Sequence, residues 1–133
     1  MAATKKMKVL MCCLGPETHN RGILTVSKML RDAGIEVVYL GNIAAEEAIK
    51  VAIEEGVDVV GISSLSGGHM GVGRILLDLA RKKGIDNKVG FIIGGVIPPL
   101  DIPKLKALGY KNVFPSGSTR EQIINGFKEA MVA

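Results

Sequence analysis

Five times along this 133-residue chain, an apolar run is followed by a stretch with helical periodicity. This alternation is typical of a parallel β-sheet, because each parallel strand needs a long crossover, usually a helix, before the next. The runs predict strands at 8–14, 35–40, 57–63, 88–93 and 112–114. We therefore expect an α/β fold in which helices cover both faces of a five-stranded parallel sheet.

The segments between the strands contain helix signals of different strength. The second has the clearest pattern, with apolar residues at i, i+3, i+4, i+7 and i+8: Ala45, Ala48, Ile49, Ala52 and Ile53. Gly56 ends this helix. A short fourth helix is expected to be capped by Asp101, and the last to begin at Ser118 or Thr119 with a capping box.

The order of the strands determines where a ligand binds. Right-handed crossovers between five strands favour the Rossmann-like (flavodoxin-like) order 2-1-3-4-5. In this order the chain changes direction between strands one and three, so the crevice lies at their carboxyl ends. The two most unusual loops of the sequence, 15–22 and 63–68, follow those strands.

The composition and charge of the chain argue against several classes of function. The net charge is +4, but the only basic runs are at 5–6 and 81–83, and three Phe, two Tyr and no Trp offer few stacking platforms, so nucleic-acid binding is not expected. No apolar run reaches the roughly 20 residues of a membrane-spanning helix. Cys12 and Cys13 are adjacent in a strand pattern, so their side chains should point to opposite faces and cannot readily form a disulfide. Free thiols fit a reducing cytoplasm best.

The loop after strand one contains one of two histidines, in the run Gly15-Pro16-Glu17-Thr18-His19-Asn20-Arg21-Gly22. A neutral imidazole can bind a metal through one nitrogen while the other donates a hydrogen bond to a carboxylate. Glu17 is close enough in sequence to be that carboxylate. From the loop alone, a surface histidine beside a solvated glutamate is an equally good interpretation.

Three further corners rich in glycine or serine lie at the same edge of the predicted sheet. They are Ser63-Ser64-Leu65-Ser66-Gly67-Gly68, Gly94-Gly95-Val96-Ile97-Pro98-Pro99 and Pro115-Ser116-Gly117-Ser118. Small residues there leave room for a bulky ligand against the backbone, although each alone could be an ordinary turn. The sequence lacks the glycine motifs of dinucleotide and triphosphate sites and the Gly-x-Ser-x-Gly of a nucleophile elbow.

Three short motifs therefore occur in order at one sheet edge: Glu17-x-His19-x-x-Gly22, Ser63-x-Leu65 and Gly94-Gly95. Together they resemble the signature of base-off, histidine-on cobalamin-binding domains, which is Asp-x-His-x-x-Gly, Ser-x-Leu and Gly-Gly. The stretches 59–65 and 94–99 are most similar to the cobalamin domain or small subunit of methylmalonyl-CoA mutase-type acyl-CoA mutases. Glu17 departs from the family's aspartate, so the hydrogen bond to the imidazole needs a different loop conformation.

The resemblance implies a single cobalamin-binding domain over residues 1–133, with His19 as the axial ligand of cobalt. The cofactor would be adenosylcobalamin, and the chain would supply no catalytic residue. A large catalytic subunit, with a substrate-binding barrel, would bind the acyl-CoA, and the isomerase would be active only with both chains. The implied cofactor-binding residues are Glu17, Thr18, His19, Asn20, Arg21, Gly22, Ser63, Ser64, Leu65, Gly94, Gly95, Val96 and Gly117.

Other functions share these features. The chain also resembles the small subunit of an amino-acid mutase such as glutamate mutase in the same three motifs. The stretch Val96-Ile97-Pro98-Pro99 favours the acyl-CoA type. Corrinoid methyl-transfer proteins usually have a helical cap domain before the corrinoid fold, for which no residues precede strand one. A non-catalytic corrinoid carrier or sensor, or an interaction domain without ligand, is the alternative from another class.

Overall fold

The computed structural model describes residues 6–14, 21–64, 69–115 and 117–131, and at residues 21, 64 and 69 only the backbone. The strands are β1 (Lys8–Leu14), β2 (Glu36–Ile43), β3 (Val59–Ser64), β4 (Gly90–Gly95) and β5 (Asn112–Pro115). The helices are α1 (Arg21–Asp32), α2 (Ala45–Glu55), α3 (His69–Lys82), α4 (Ile102–Leu108) and α5 (Arg120–Glu129), with a 3-10 turn at Pro99–Asp101 before α4. All strand pairs are parallel in the order β2-β1-β3-β4-β5, which confirms the predicted fold class and strand order.

Strands β2, β3 and β4 begin later than their apolar runs. Ile35 and Val57 are buried, but their backbone N–H groups donate to Leu30 and Ala52 at the ends of the preceding helices, at 2.9 and 3.2 Å. These are the hydrogen bonds that close a helix after a left-handed glycine, here Gly34 and Gly56. The predicted starts at 35 and 57 were therefore too early, because burial alone does not distinguish a helix end from a strand. The predicted start at 88 was also too early, because the N–H groups of Lys88 and Val89 donate to the carbonyl of Ile85 in the turn before β4.

The sheet separates two hydrophobic layers. On one face α1 and α5 pack over β1, β3 and β4, and on the other α2, α3 and α4 do so. Cys12 belongs to the second layer and Cys13 to the first, which confirms that their side chains point to opposite faces. Each fully buried branched side chain of these layers stabilises the fold by about 1.5–3 kcal/mol.

Two details of the helices differ from the sequence prediction. Ile53 is 50% exposed, because the face of α2 that meets the sheet is the narrower stripe of Ala48, Ile49 and Ala52. The predicted cap Asp101 makes no capping hydrogen bond, because the 3-10 turn already leads the chain into α4 with helical backbone angles.

The predicted start of α5 is confirmed. The hydroxyl of Thr119 accepts a hydrogen bond from the backbone N–H of Gln122, and the Gln122 side chain accepts one from the N–H of Thr119. Ser118 donates its hydroxyl to the carbonyl of Pro115 instead, at 2.7 Å. In the described parts of the chain, no helix has both the length and the apolar character needed to cross a bilayer.

Candidate functional site

Two of the sequence motifs meet because their strands are neighbours in register. Ser63 pairs with Cys13 of β1 on one side and with Gly94 of β4 on the other. Ser64 pairs with Gly95 in the same ladder. Since parallel strands end at the same edge, the serines and the glycine pair lie side by side at the carboxyl edge of the sheet, where the sequence predicted a ligand crevice.

A cavity of about 410 Å³ opens beside this edge, between the strand ends, α1 and α5. Five of the residues predicted from the sequence to bind the cofactor line it: Gly22, Ser63, Gly94, Gly95 and Gly117. Gly95 and Gly117 have φ angles of +128° and +91°, a backbone region that favours glycine. The cavity thus joins the end of the first motif to residues of the second and third.

The inner wall of the cavity is apolar. Met11, Gly61 and Phe127 line it, and Phe114 stacks on Phe127 with ring centroids 5.9 Å apart. A Cβ at position 61 would stand 2.7 Å from the Met11 sulfur and 3.0 Å from the Phe127 ring. Gly61 therefore lets the strand, the methionine and the aromatic ring approach each other closely at the base of the cavity.

Of the described residues that line the cavity, none has a formal charge. Its polar side chains are the hydroxyls of Thr25, Ser63 and Ser118, and Ser118 already donates to Pro115. An uncharged apolar cavity with a few hydroxyls suits a neutral planar aromatic group that needs one or two hydrogen bonds. A nucleotide phosphate would instead require cations or several free backbone N–H groups.

The same features show whether the cavity could accept part of cobalamin, because the nucleotide tail of cobalamin ends in benzimidazole, a flat neutral base. Among the described residues, none comes within 4 Å of a Cβ added at Gly22 or Gly117, so the described part of the chain leaves space next to the backbone at both positions. At Gly94 it would stand 3.3 Å from the carbonyl oxygen of Phe114, so a larger residue there has little room away from the cavity. The residues present fit the benzimidazole end of this tail.

The remaining predicted site residues fall into two groups. Val96 is 58% exposed just beyond the cavity, Arg21 begins α1, and Ser64 ends β3. Glu17, Thr18, His19, Asn20 and Leu65 lie outside the described residues. Among the described residues, no three His, Cys, Asp or Glu side chains come together in a way that could hold a metal.

Sequence reasoning missed the contribution of β1, the interior of β3, and α5. Met11, Gly61, Ile123 and Phe127 all line the cavity, yet none lies in a loop at a strand end. Gly61 carried a usable signal, because a glycine inside an otherwise branched strand marks a close backbone approach. Phe127 had none, because its helical pattern indicates burial without indicating what it is buried against.

The fold and the cavity define a doubly wound α/β domain with a cavity at the switch point of its sheet, the usual ligand position in this class of fold. Residues 7–124 match the family described as the B12 binding domain, and the chain belongs to that family.

Within the family the chain is similar to small subunits of acyl-CoA mutases. It is 38% identical over 124 residues to the pivalyl-CoA mutase small subunit of Xanthobacter autotrophicus, covering 92% of this chain and 82% of that one. It is 34% identical over 128 residues to the 2-hydroxyisobutanoyl-CoA mutase small subunit of Aquincola tertiaricarbonis, covering 96% and 93%. The crystal structure of a cobalamin-binding protein from Desulfitobacterium hafniense has the same fold, with a TM-score of 0.81, 21% identity, and 94% of this chain and 60% of that one covered.

Proposed function

We propose that this chain is the cobalamin-binding small subunit of an adenosylcobalamin-dependent acyl-CoA mutase, and that His19 is the lower axial ligand of cobalt. The observation that carries the proposal is the 410 Å³ cavity, whose described lining is uncharged, because residues from all three motifs border it in a member of the B12-binding family. The similarity to two acyl-CoA mutase small subunits favours this class over an amino-acid mutase or a corrinoid carrier.

The assignment of His19 depends on its distance along the chain from the cavity. Gly22 lines the cavity, and three residues of chain span at most about 11 Å. A segment of this length allows His19 to reach a metal held above the cavity mouth, which supports the proposal. In this proposal Glu17 accepts the second imidazole N–H, directly or through water, and so fixes the tautomer that binds the metal.

The other residues of the site make room for the displaced nucleotide tail. Gly22, Gly94, Gly95 and Gly117 leave the backbone open to it, and Ser63 donates a hydrogen bond to a ring nitrogen of the benzimidazole. Leu65 adds an apolar wall. Thr18, Asn20, Arg21, Ser64 and Val96 border the tail and the corrin edge.

When bound, adenosylcobalamin supplies a deoxyadenosyl radical by homolysis of its cobalt–carbon bond, which starts the carbon-skeleton isomerisation. This chain holds and orients the cofactor, while a large subunit with a substrate-binding barrel holds the acyl-CoA. The relatives named as small subunits support such a division. We place the protein in the cytoplasm, where its buried cysteines on opposite sheet faces stay reduced.

The absorption spectrum of the bound cofactor tests the proposal. The purified chain should bind cobalamin with the spectrum of a base-off, imidazole-ligated form, and His19→Ala should abolish that ligation. His69→Ala is the matched control, because it removes the other histidine of the sequence. Imidazole ligation that persists in His19→Ala, or is lost in His69→Ala, would contradict the assignment of His19.

A further inference from the structure

An apolar turn projects from the sheet edge next to the cavity. We call Val96, Pro98, Pro99 and Leu100 the rim turn. Val96 is 58% exposed and Leu100 is 81% exposed, the highest value among the exposed large apolar side chains of the described residues. Both prolines are exposed as well. Residues 94–100 contain no charged side chain, so the side chains that the rim turn exposes are all apolar.

The rim turn is held rigidly from below. Ile97, between its exposed residues, is only 5% exposed and belongs to the core formed with α2, α3 and α4. The N–H of Asp101 donates to the carbonyl of Pro98 at 2.9 Å, and the N–H of Ile102 donates to that of Pro99. Two prolines and a 3-10 turn therefore fix the backbone that presents Leu100, so docking this side chain costs little conformational entropy.

The position of the rim turn indicates its partner. It starts directly after Gly95, which lines the cavity, and crosses the edge of the sheet towards α4. If the tail of the cofactor enters this cavity, the rest of the cofactor would lie beyond the same edge, and the protein that carries the substrate would have to approach that edge. The apolar surface lies where this approach would bury it.

We infer that the rim turn docks on the large mutase subunit, with Leu100 inserted into an apolar pocket of that chain. This inference rests on the proposed function and adds the surface through which the two subunits recognise each other. An exposed apolar side chain on a fixed backbone gains free energy from leaving water when a partner covers it, and little conformational entropy is lost.

The exposed apolar residues of α2 and α3 have a different setting. Ile53 is 50% exposed on α2, but it is flanked by Lys50 and Glu54, and Lys83 of α3 borders the same groove. Ile75 on α3 is 55% exposed, comparable to Val96. Isolated apolar residues on charged helical surfaces are ordinary, and they provide a matched control for the rim turn.

The test compares Leu100→Asp with Ile75→Asp, each adding one carboxylate at an exposed apolar position. The large subunit is first obtained by co-purification with the tagged wild-type chain and then purified alone. Its Kd for each cobalamin-loaded variant is measured by calorimetry or sedimentation. We expect Leu100→Asp to weaken the complex about 30-fold or more, and Ile75→Asp to stay within about threefold of wild type.

A cobalamin titration of each variant separates the possible failures. Leu100→Asp should bind cobalamin as the wild type does, because Leu100 does not line the cavity. If Leu100→Asp binds the large subunit as tightly as wild type, or if Ile75→Asp weakens binding equally, the docking inference is wrong while the proposed function stands. If the wild-type chain binds no cobalamin, the proposed function itself is wrong.

Discussion

Ser63 and Gly94 are register partners on the adjacent parallel strands β3 and β4, and both line the same cavity. Ser63 contributes a hydroxyl, and Gly94 leaves space because it has no side chain. The two residues are 31 positions apart in the sequence. The pairing explains how two short motifs become one site: the ladder between two buried strands fixes their separation.

Gly94→Val should reduce cobalamin affinity at least tenfold. A Cβ at position 94 already stands 3.3 Å from the Phe114 carbonyl oxygen, so the branched methyl groups are expected to occupy the cavity. The measurement is a titration with cobalamin followed by absorption. Gly71→Val is the control, because position 71 is exposed on α3 and no atom of the described residues lies within 4 Å of an added Cβ there. Equal affinities for both variants would contradict the role given to Gly94.

Gly90→Ala should destabilise the fold by about 1–3 kcal/mol, the usual cost of overpacking a core. An added Cβ would overlap the carbonyl oxygen of Ala130, so the end of α5 would have to move away from β4. Urea unfolding measures the free-energy change. Gly71→Ala, in the open first turns of α3, should instead leave stability unchanged or raise it by up to about 1 kcal/mol. A Gly90→Ala protein as stable as wild type would show that this close contact is not maintained.

The Cys12 thiol should be inert in the folded protein. Burial raises its pKa from 9.0 to about 12 because the thiolate loses its hydration. A Cys13→Ala variant leaves Cys12 as the single thiol, and at pH 8 it should react with Ellman's reagent only after unfolding. Because the folded state holds the Cys12 proton more tightly than the unfolded state does, this proton contributes its full stabilisation below pH 9. The free energy of unfolding should fall as the pH rises from 9 towards 12. Rapid labelling of the native variant at pH 8 would contradict the burial of this thiol.

The strand order could be predicted because five apolar runs alternate with helical segments and because crossover handedness leaves few topologies. Element boundaries were less predictable. Val57 is as apolar and buried as Val59, but only the hydrogen bond from its N–H to Ala52 shows that it belongs to the end of a helix. That choice depends on backbone geometry, which composition does not encode.

The glycines and serine of the site could be predicted because small residues at strand ends are conspicuous against apolar runs. Phe127 could not be, since its place at the cavity depends on α5 lying across β3 and β4, where Gly61 and Gly90 permit close approach. The contact of Phe127 with β3 joins segments that are far apart in the sequence, so it depends on the tertiary fold. His19 and Glu17 stay predictions, because they lie outside the described residues.

The most direct test of the account is the electron paramagnetic resonance spectrum of the chain with bound cob(II)alamin, prepared once with ordinary and once with ¹⁵N-labelled histidine. Ligation by His19 predicts that the nitrogen superhyperfine splitting changes from triplets to doublets on labelling, and that the labelled His69→Ala variant behaves in the same way. Triplets that persist after labelling would mean that benzimidazole nitrogen still binds cobalt, and would contradict the account.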